Sequence, residues 1–226
     1  IIIPDKVSNE VVATGFYLAK LMKKIPVRSG ICDGFIGNRI LNKYSDCAGF
    51  MIEDGATPYE IDKAIFDFGY PMGPYQMFDL AGGDIGWAMR KRLEPTRNKN
   101  ARYVHIADKL CENGWFGQKS GRGFYRYDKG NRKGDEDIEI LQIIELERQK
   151  KGIIPKKFSS EEIIKRYMTS MINEAAEVVN EKIALRPSDV DVTKLFGYGF
   201  PRFRGGPMKY ADTYGLDKIL ANLKEF

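Results

Sequence analysis

Histidine is the scarcest catalytic resource in this 226-residue sequence: His105 is its single imidazole. A reaction needing a histidine base must use His105 or a residue outside the chain. Cysteine is nearly as rare. Cys32, Cys47 and Cys111 are odd in number and widely spaced, which fits neither a disulfide framework nor a zinc site. Three such thiols read as packing residues of a reduced compartment. No apolar run approaches the roughly 18 residues that a membrane-spanning helix needs. Also missing are a Gly-x-Gly-x-x-Gly dinucleotide fingerprint, a nucleophile elbow, a phosphate loop and any metal-spaced His/Cys cluster. There is no initiating Met and no basic-then-apolar leader, and Ile1-Ile2-Ile3-Pro4 reads as a strand belonging to something longer.

What is present is an ordinary globular composition with a small positive excess, 36 Lys+Arg against 31 Asp+Glu. The excess is concentrated. Residues 90–157 hold 18 basic and 10 acidic side chains. The plain reading is a solvated helical surface with basic connecting loops; the sharper one is a patch that attracts a phosphate-bearing cofactor. Nucleic acid is disfavoured as a partner, because no recognition motif or run of stacking aromatics accompanies the charge.

Periodicity predicts a mainly α chain. Ser8 caps a helix over about 9–23, and Ile25-Pro26-Val27 reads as a short strand. A long helix over about 36–53 carries the stripe Ile36, Ile40, Tyr44, Cys47, Met51 and stops at Gly55. Thr57-Pro58-Tyr59-Glu60 is a capping box with proline at the first helical position. A further helix is expected from Pro74 towards Arg92, and another over about 103–112 that stops at Asn113-Gly114. Phe124 to Tyr127 reads as a short strand after a glycine-rich turn, and about 135–151 as a charged helix. Ser159-Ser160-Glu161-Glu162 is a second capping box, opening a helix whose face includes Ile164, Tyr167, Met168, Met171 and Ala175.

Two stretches repeat. Pro58, Ile61-Asp62, Gly69-Tyr70-Pro71, Gly73-Pro74, Asp79, Gly82 and Asp84 recur as Pro187, Val190-Asp191, Gly199-Phe200-Pro201, Gly206-Pro207, Asp212, Gly215 and Asp217. Glycine and proline carry much of the match because they fix backbone turns, so it speaks to duplication of a fold rather than of chemistry. Neither copy alone hides its apolar face, and packing one on the other would bury it. The recurring aspartates are expected to cap turns or helices rather than to act as paired catalytic carboxylates. His105, on an expected helix with Asp108 three residues on, reads as structural.

Asp33-Gly34-Phe35-Ile36-Gly37-Asn38-Arg39 differs from the rest. Two glycines lead into a helix whose first turn presents Asn38. From the residues alone, Asn38 is either a helix-start cap or a neutral amide offered to a substrate oxygen.

Pro26-Val27-Arg28, Gly34 to Ile40, Gly55-Ala56-Thr57-Pro58, Ile61-Asp62, Gly69 to Pro74, Asp79 and Phe116 to Tyr125 together resemble the C-terminal domain of L-3-hydroxyacyl-CoA dehydrogenases. Phe200 to Pro207 is similar to the second copy of that domain in multifunctional fatty-acid oxidation proteins. The resemblance covers nearly the whole chain in motif order. It implies a duplicated helical domain packed as a pseudo-dimer, with the Rossmann domain absent. The implied boundaries are 1–30 for a remnant helix and strand, 31–134 for the first copy, 135–158 for a connecting helix and linker, and 159–226 for the second.

The implied reaction is oxidation of a 3-hydroxyacyl-CoA to the 3-ketoacyl-CoA, with hydride passing to NAD bound mainly by the missing domain. In the family a His–Glu pair, upstream of the residues corresponding to Ile1, handles the proton. The active-site Asn of the helical domain maps onto Asn38, the one catalytic residue implied here. No residue of this chain is implied in cofactor or metal binding. Opposite the Gly34–Arg39 segment the second copy offers no glycine pair and no matching Asn, which leaves it as a packing partner. Implied partners are an acyl-CoA substrate, the Rossmann and hydratase domains of the same polypeptide and a thiolase subunit; the implied location is the bacterial cytoplasm, with the peroxisome as the alternative. The competing reading is a non-catalytic helical dimerisation or assembly module. A relative that uses NADP or another hydroxyacid is a third.

Overall fold

The computed structural model describes residues 1–226. Eleven α-helices run along the chain: α1 Asn9–Leu21, α2 Gly37–Asp54, α3 Pro58–Phe68, α4 Pro74–Ala81, α5 Gly83–Leu93, α6 Ile106–Glu112, α7 Ile138–Lys151, α8 Ser160–Asn180, α9 Pro187–Gly197, α10 Pro207–Tyr214 and α11 Leu216–Glu225. The sheet content is one antiparallel ladder of two two-residue strands, β1 Tyr125–Arg126 and β2 Asp135–Glu136, with Tyr125 opposite Glu136. The mainly α expectation holds, and nothing in this chain is a Rossmann fold. No helix is long and apolar enough to cross a membrane.

The caps that the sequence announces are formed. The Ser8 hydroxyl accepts from the Val11 N–H. Thr57 and Glu60 make the full reciprocal box at the start of α3, and Ser159 accepts from the Glu162 N–H at the start of α8. Gly55 ends α2 at φ +140°, where a Cβ would sit 2.1 Å from the Lys156 carbonyl oxygen. Only glycine fits both that torsion and that approach.

Three expectations need correction. The helix foreseen from Pro74 to Arg92 is two helices, because Gly82 at φ +95° and ψ +117° leaves helical space between α4 and α5. Residues 103–105 are not helical, so His105 precedes α6 rather than riding on it. Ile25-Pro26-Val27 forms no strand; nearby pairing is confined to a bridge between Ile2 and Ser29. Proline at the centre of that tripeptide has no N–H to give a ladder.

The chain divides into two compact units, one made of Ile1–Ser45 with Lys165–Phe226 and the other of Asp46–Ile164. The core of the second holds Ile52, Ile61, Ile65, Ile106, Leu110, Phe124 and Ile140, all at or below 2% exposure. Side chains of this size each contribute about 1.5–3 kcal/mol on burial. Arg148 closes the end of α2 by donating to the Ile52 and Ala56 carbonyl oxygens. In the first unit Ile36, just before α2, and Ile40 and Tyr44 in its first two turns are buried, as are Tyr167, Met168, Met171 and Ala175 of α8. The Tyr44 and Tyr167 rings meet at 4.8 Å.

Within each repeat the same device recurs. The Asp62 carboxylate, on α3, accepts from the Tyr75 and Gln76 N–H groups and so caps α4 from outside. Asp191, on α9, does the same for α10 through Met208 and Lys209. The residue at each cap position is glycine and has no side chain of its own, so a carboxylate from the preceding helix supplies the acceptor. Gly82 and Gly215 also share one backbone geometry, with φ +95° and +108° and ψ +117° and +121°.

Candidate functional site

Asn38 stands at the first turn of α2, in the first unit. The turn before it is tight: the Asn38 and Arg39 N–H groups both donate to the Gly34 carbonyl oxygen, at 3.0 and 3.1 Å. Gly34 has φ +80°, and a Cβ there would lie 2.5 Å from the Arg39 nitrogen. Phe35 follows at φ +50°, a left-handed conformation costly for a residue with a side chain. Strain of this kind three residues before a polar side chain marks a segment whose shape is held by its surroundings.

Two neighbours hold α2 in place. The Arg39 guanidinium donates to Glu174 on α8 at 2.5 Å and, through both terminal nitrogens, to Glu181 at 2.6 and 2.8 Å. The paired bond to Glu181 is the largest influence holding Arg39 protonated above its ordinary range. The other neighbour is Tyr198, just past α9, whose hydroxyl donates to Asn38 Oδ1 at 2.7 Å. Asn38 is exposed and its Nδ2 makes no bond to the protein. The arrangement therefore leaves an amide N–H pair facing outward, able to donate to an oxygen of a bound molecule.

Gly37 explains how Tyr198 comes so close. A Cβ at Gly37 would sit 2.1 Å from the Tyr198 hydroxyl oxygen, so the phenol occupies space that any other residue at 37 would fill. Behind the ring lies Lys194, fully buried, with its ammonium 4.0 Å from the Tyr198 ring centroid and 2.9 Å from the Tyr44 hydroxyl. Burial pushes the Lys194 ammonium well below its usual pKa.

The remaining candidates are engaged in contacts within the fold. His105 is exposed and packs edge-on against Tyr103 at 4.8 Å. Asp108, which would have to orient it, accepts instead from Arg90 and Tyr103, both at 2.6 Å. The Asp79 carboxylate accepts from the Phe124 and Tyr125 N–H groups at 2.9 Å, and a Cβ at Gly123 would lie 2.0 Å from it. The Gly-x-Gly at 121–123 thus lets a turn close over Asp79. No group of His, Cys, Asp and Glu is placed to hold a metal. Two surface grooves, of about 450 and 240 Å3, lie in the second unit and do not include Asn38; the smaller is lined by Arg90, Arg97, Tyr103 and His105 among others.

Tyr198 is the partner of Asn38 that the sequence does not reveal. Comparing only the segment aligned with Asn38 leaves the second copy without a polar role. The available signal was Gly37, since a glycine at a helix start without a positive-φ role points to close approach by something. Nothing in the sequence says what.

The fold and site define a helical chain, built from a repeated unit, that presents the exposed Asn38 amide at the start of α2. Residues 34–127 match the family model described as 3-hydroxyacyl-CoA dehydrogenase, C-terminal domain. The whole chain is similar to part of the peroxisomal bifunctional enzyme of Danio rerio, 45% identical over 97% of this chain and 32% of that protein. The Homo sapiens peroxisomal bifunctional enzyme is 42% identical over 100% of this chain and 33% of its own length. The fatty acid oxidation complex subunit alpha of Psychrobacter is 34% identical over 98% and 31%. The chain thus spans about a third of the length of the curated relatives it matches. Among solved structures, the dehydrogenase part of multifunctional enzyme 1 from C. elegans superposes with a TM-score of 0.72 at 30% identity, covering 100% of this chain and 50% of that one. The 3-hydroxybutyryl-CoA dehydrogenase of Escherichia coli shares the fold, with a TM-score of 0.76 at 20% identity over 99% of this chain and 62% of that one.

Proposed function

We propose that this chain is the substrate-side helical portion of a multifunctional L-3-hydroxyacyl-CoA dehydrogenase of fatty-acid β-oxidation. The polypeptide containing it would oxidise a 3-hydroxyacyl-CoA to the 3-ketoacyl-CoA with NAD as hydride acceptor. The observation that carries the reading is Asn38: an exposed amide with a free Nδ2, on a helix start fixed by Arg39 and Tyr198, inside the stretch that matches the dehydrogenase C-terminal domain. Its proposed work is to donate to the substrate oxygen at C3, orienting the reacting carbon and stabilising charge that develops there.

The residues of this chain do not fit a dinucleotide. Its one sheet is a ladder of two-residue strands, and no Gly-x-Gly-x-x-Gly run meets a helix start. NAD is therefore assigned to the part of the relatives' length that this chain does not span, together with the proton-handling His–Glu pair. By itself the chain is proposed to be inactive. We assign 31–134 to the first helical copy and 159–226 to the second, which takes the place of a dimer partner. A hydratase portion of the same polypeptide and a thiolase subunit that consumes the ketoacyl product complete the set of partners. Higher identity to the peroxisomal bifunctional enzymes of Danio rerio and Homo sapiens than to the bacterial subunit favours the peroxisome over the bacterial cytoplasm.

The test is Asn38→Ala in the full-length protein, following NADH formation from a 3-hydroxyacyl-CoA. Loss of one positioned donor predicts turnover lower by about 10- to 1,000-fold at unchanged thermal stability. Wild-type turnover would instead favour the assembly-module reading.

A further inference from the structure

We infer that Tyr198 is a positioning residue for Asn38, so that the second copy of the repeat contributes a side chain to the reacting site. The inference rests on the proposed dehydrogenase reading and deepens it. An exposed asparagine at a helix start is free to rotate about both side-chain torsions and to turn its amide over. In either turned-over state it offers a substrate oxygen its own carbonyl, which repels, in place of an N–H. A phenol donates more strongly than it accepts, so the Tyr198 hydroxyl biases this choice. It lies 2.7 Å from Oδ1 and donates to it, which leaves both Nδ2 protons to the open side. A hydrogen bond of this strength shifts a rotamer population by about 3- to 10-fold.

The phenol is itself held. Its ring lies 4.0 Å from the Lys194 nitrogen, and its backbone N–H donates to the Lys194 carbonyl oxygen at the end of α9. Its oxygen reaches Asn38 through a gap that exists because residue 37 is glycine. A ring anchored below, a missing Cβ above and a bond to the exposed Asn38 amide form a built contact, rather than an incidental touch between surface groups.

The variant Tyr198→Phe in the full-length protein keeps the ring and removes the hydroxyl alone. Asn38 Oδ1 is then met by water, so the unfolding midpoint should stay within about 2 °C of the parent. The expected result is kcat lower by about 3- to 10-fold with KM for NAD unchanged. The double variant Asn38→Ala with Tyr198→Phe should be no slower than Asn38→Ala alone, because a positioning residue has nothing left to position. A purely structural tyrosine would not give that non-additivity. Wild-type kcat in Tyr198→Phe, or an additive loss in the double variant, overturns the inference. If Asn38→Ala is slow while Tyr198→Phe is not, the inference alone falls. If Asn38→Ala also turns over normally, the dehydrogenase role of the site falls with it.

Discussion

Lys194 and Tyr44 form a fully buried pair, ammonium to hydroxyl at 2.9 Å, with no carboxylate to balance the charge. In the repeat register Lys194 answers to Ile65 of the first copy, which is equally buried and apolar. A lone ammonium out of water is costly, and its partner hydroxyl would be orphaned by removing it. Tyr44→Phe alone should therefore destabilise the protein by about 1–3 kcal/mol. Replacing both partners, as Lys194→Met with Tyr44→Phe, should restore or exceed parental stability. Denaturant midpoints of the single and double variants check this, and a double variant no better than Tyr44→Phe would sink it.

The same lysine sets a direction with pH. Its folded-state pKa is depressed, so between that value and the ordinary lysine range the unfolded chain binds the extra proton. Stability from this group rises with pH through that window. The two buried aspartates of the second unit oppose it at lower pH. Burial is the largest influence on both, pushing Asp62 up to about 7 and Asp79 up to about 6 from 3.8. The folded chain keeps protons that the unfolded chain has released, so their contribution falls as pH rises from about 4 to about 7. The uncharged amide introduced by Asp62→Asn lacks this dependence. The stability cost of Asp62→Asn should be largest near pH 4 and shrink towards pH 7, measured as the gap between two melting-temperature profiles. A gap that widens with pH refutes the assignment.

Asp62 also governs what residue 73 can be. A Cβ at Gly73 would lie 2.2 Å from the Asp62 Oδ1 and 2.3 Å from its Cα. Gly73→Ala should cost about 2–4 kcal/mol, combining overpacking with loss of the α4 cap. Truncation to Asp62→Ala should not rescue it, because the Cα remains in the way. Gly206→Ala in the second copy carries the further penalty of φ +105°. Thermal unfolding of the two single variants and the Gly73→Ala, Asp62→Ala pair decides the point; rescue by truncation would contradict the geometry.

Legibility from sequence followed the range of the interaction. Thr57 with Glu60, Ser159 with Glu162 and Gly55 before Thr57 were readable because each signal acts within one helical turn. The repeat was readable because Gly82 and Gly215 impose one torsion that few residues tolerate. The split between α4 and α5 was not, even with Gly82 among the repeated residues, since a glycine inside a periodic run is ambiguous without its torsion. Asn38 stood out by its glycine flanks. Tyr198 could not, being 160 residues away and brought to Asn38 by packing alone. Lys194 is a further limit: a lysine on α9 reads as solvated, and its burial follows from Tyr44 and Tyr198 closing over it.

Gly37 offers a test in which the sign of the effect changes with the partner. Alanine is the better helix former by about 1 kcal/mol in a helix interior, and less at a first turn. In the parent, however, its methyl would meet the Tyr198 hydroxyl at 2.1 Å and the ring carbons at 2.3 and 2.4 Å. Tyr198 cannot yield without leaving Lys194 and Asn38. Gly37→Ala should therefore destabilise the parent by about 1–3 kcal/mol. In a Tyr198→Ala background the space is empty, and the same substitution should be neutral or stabilising by up to about 1 kcal/mol. Four melting curves close the cycle. A Gly37→Ala that costs the same in both backgrounds would mean that Tyr198 does not occupy the space above Gly37.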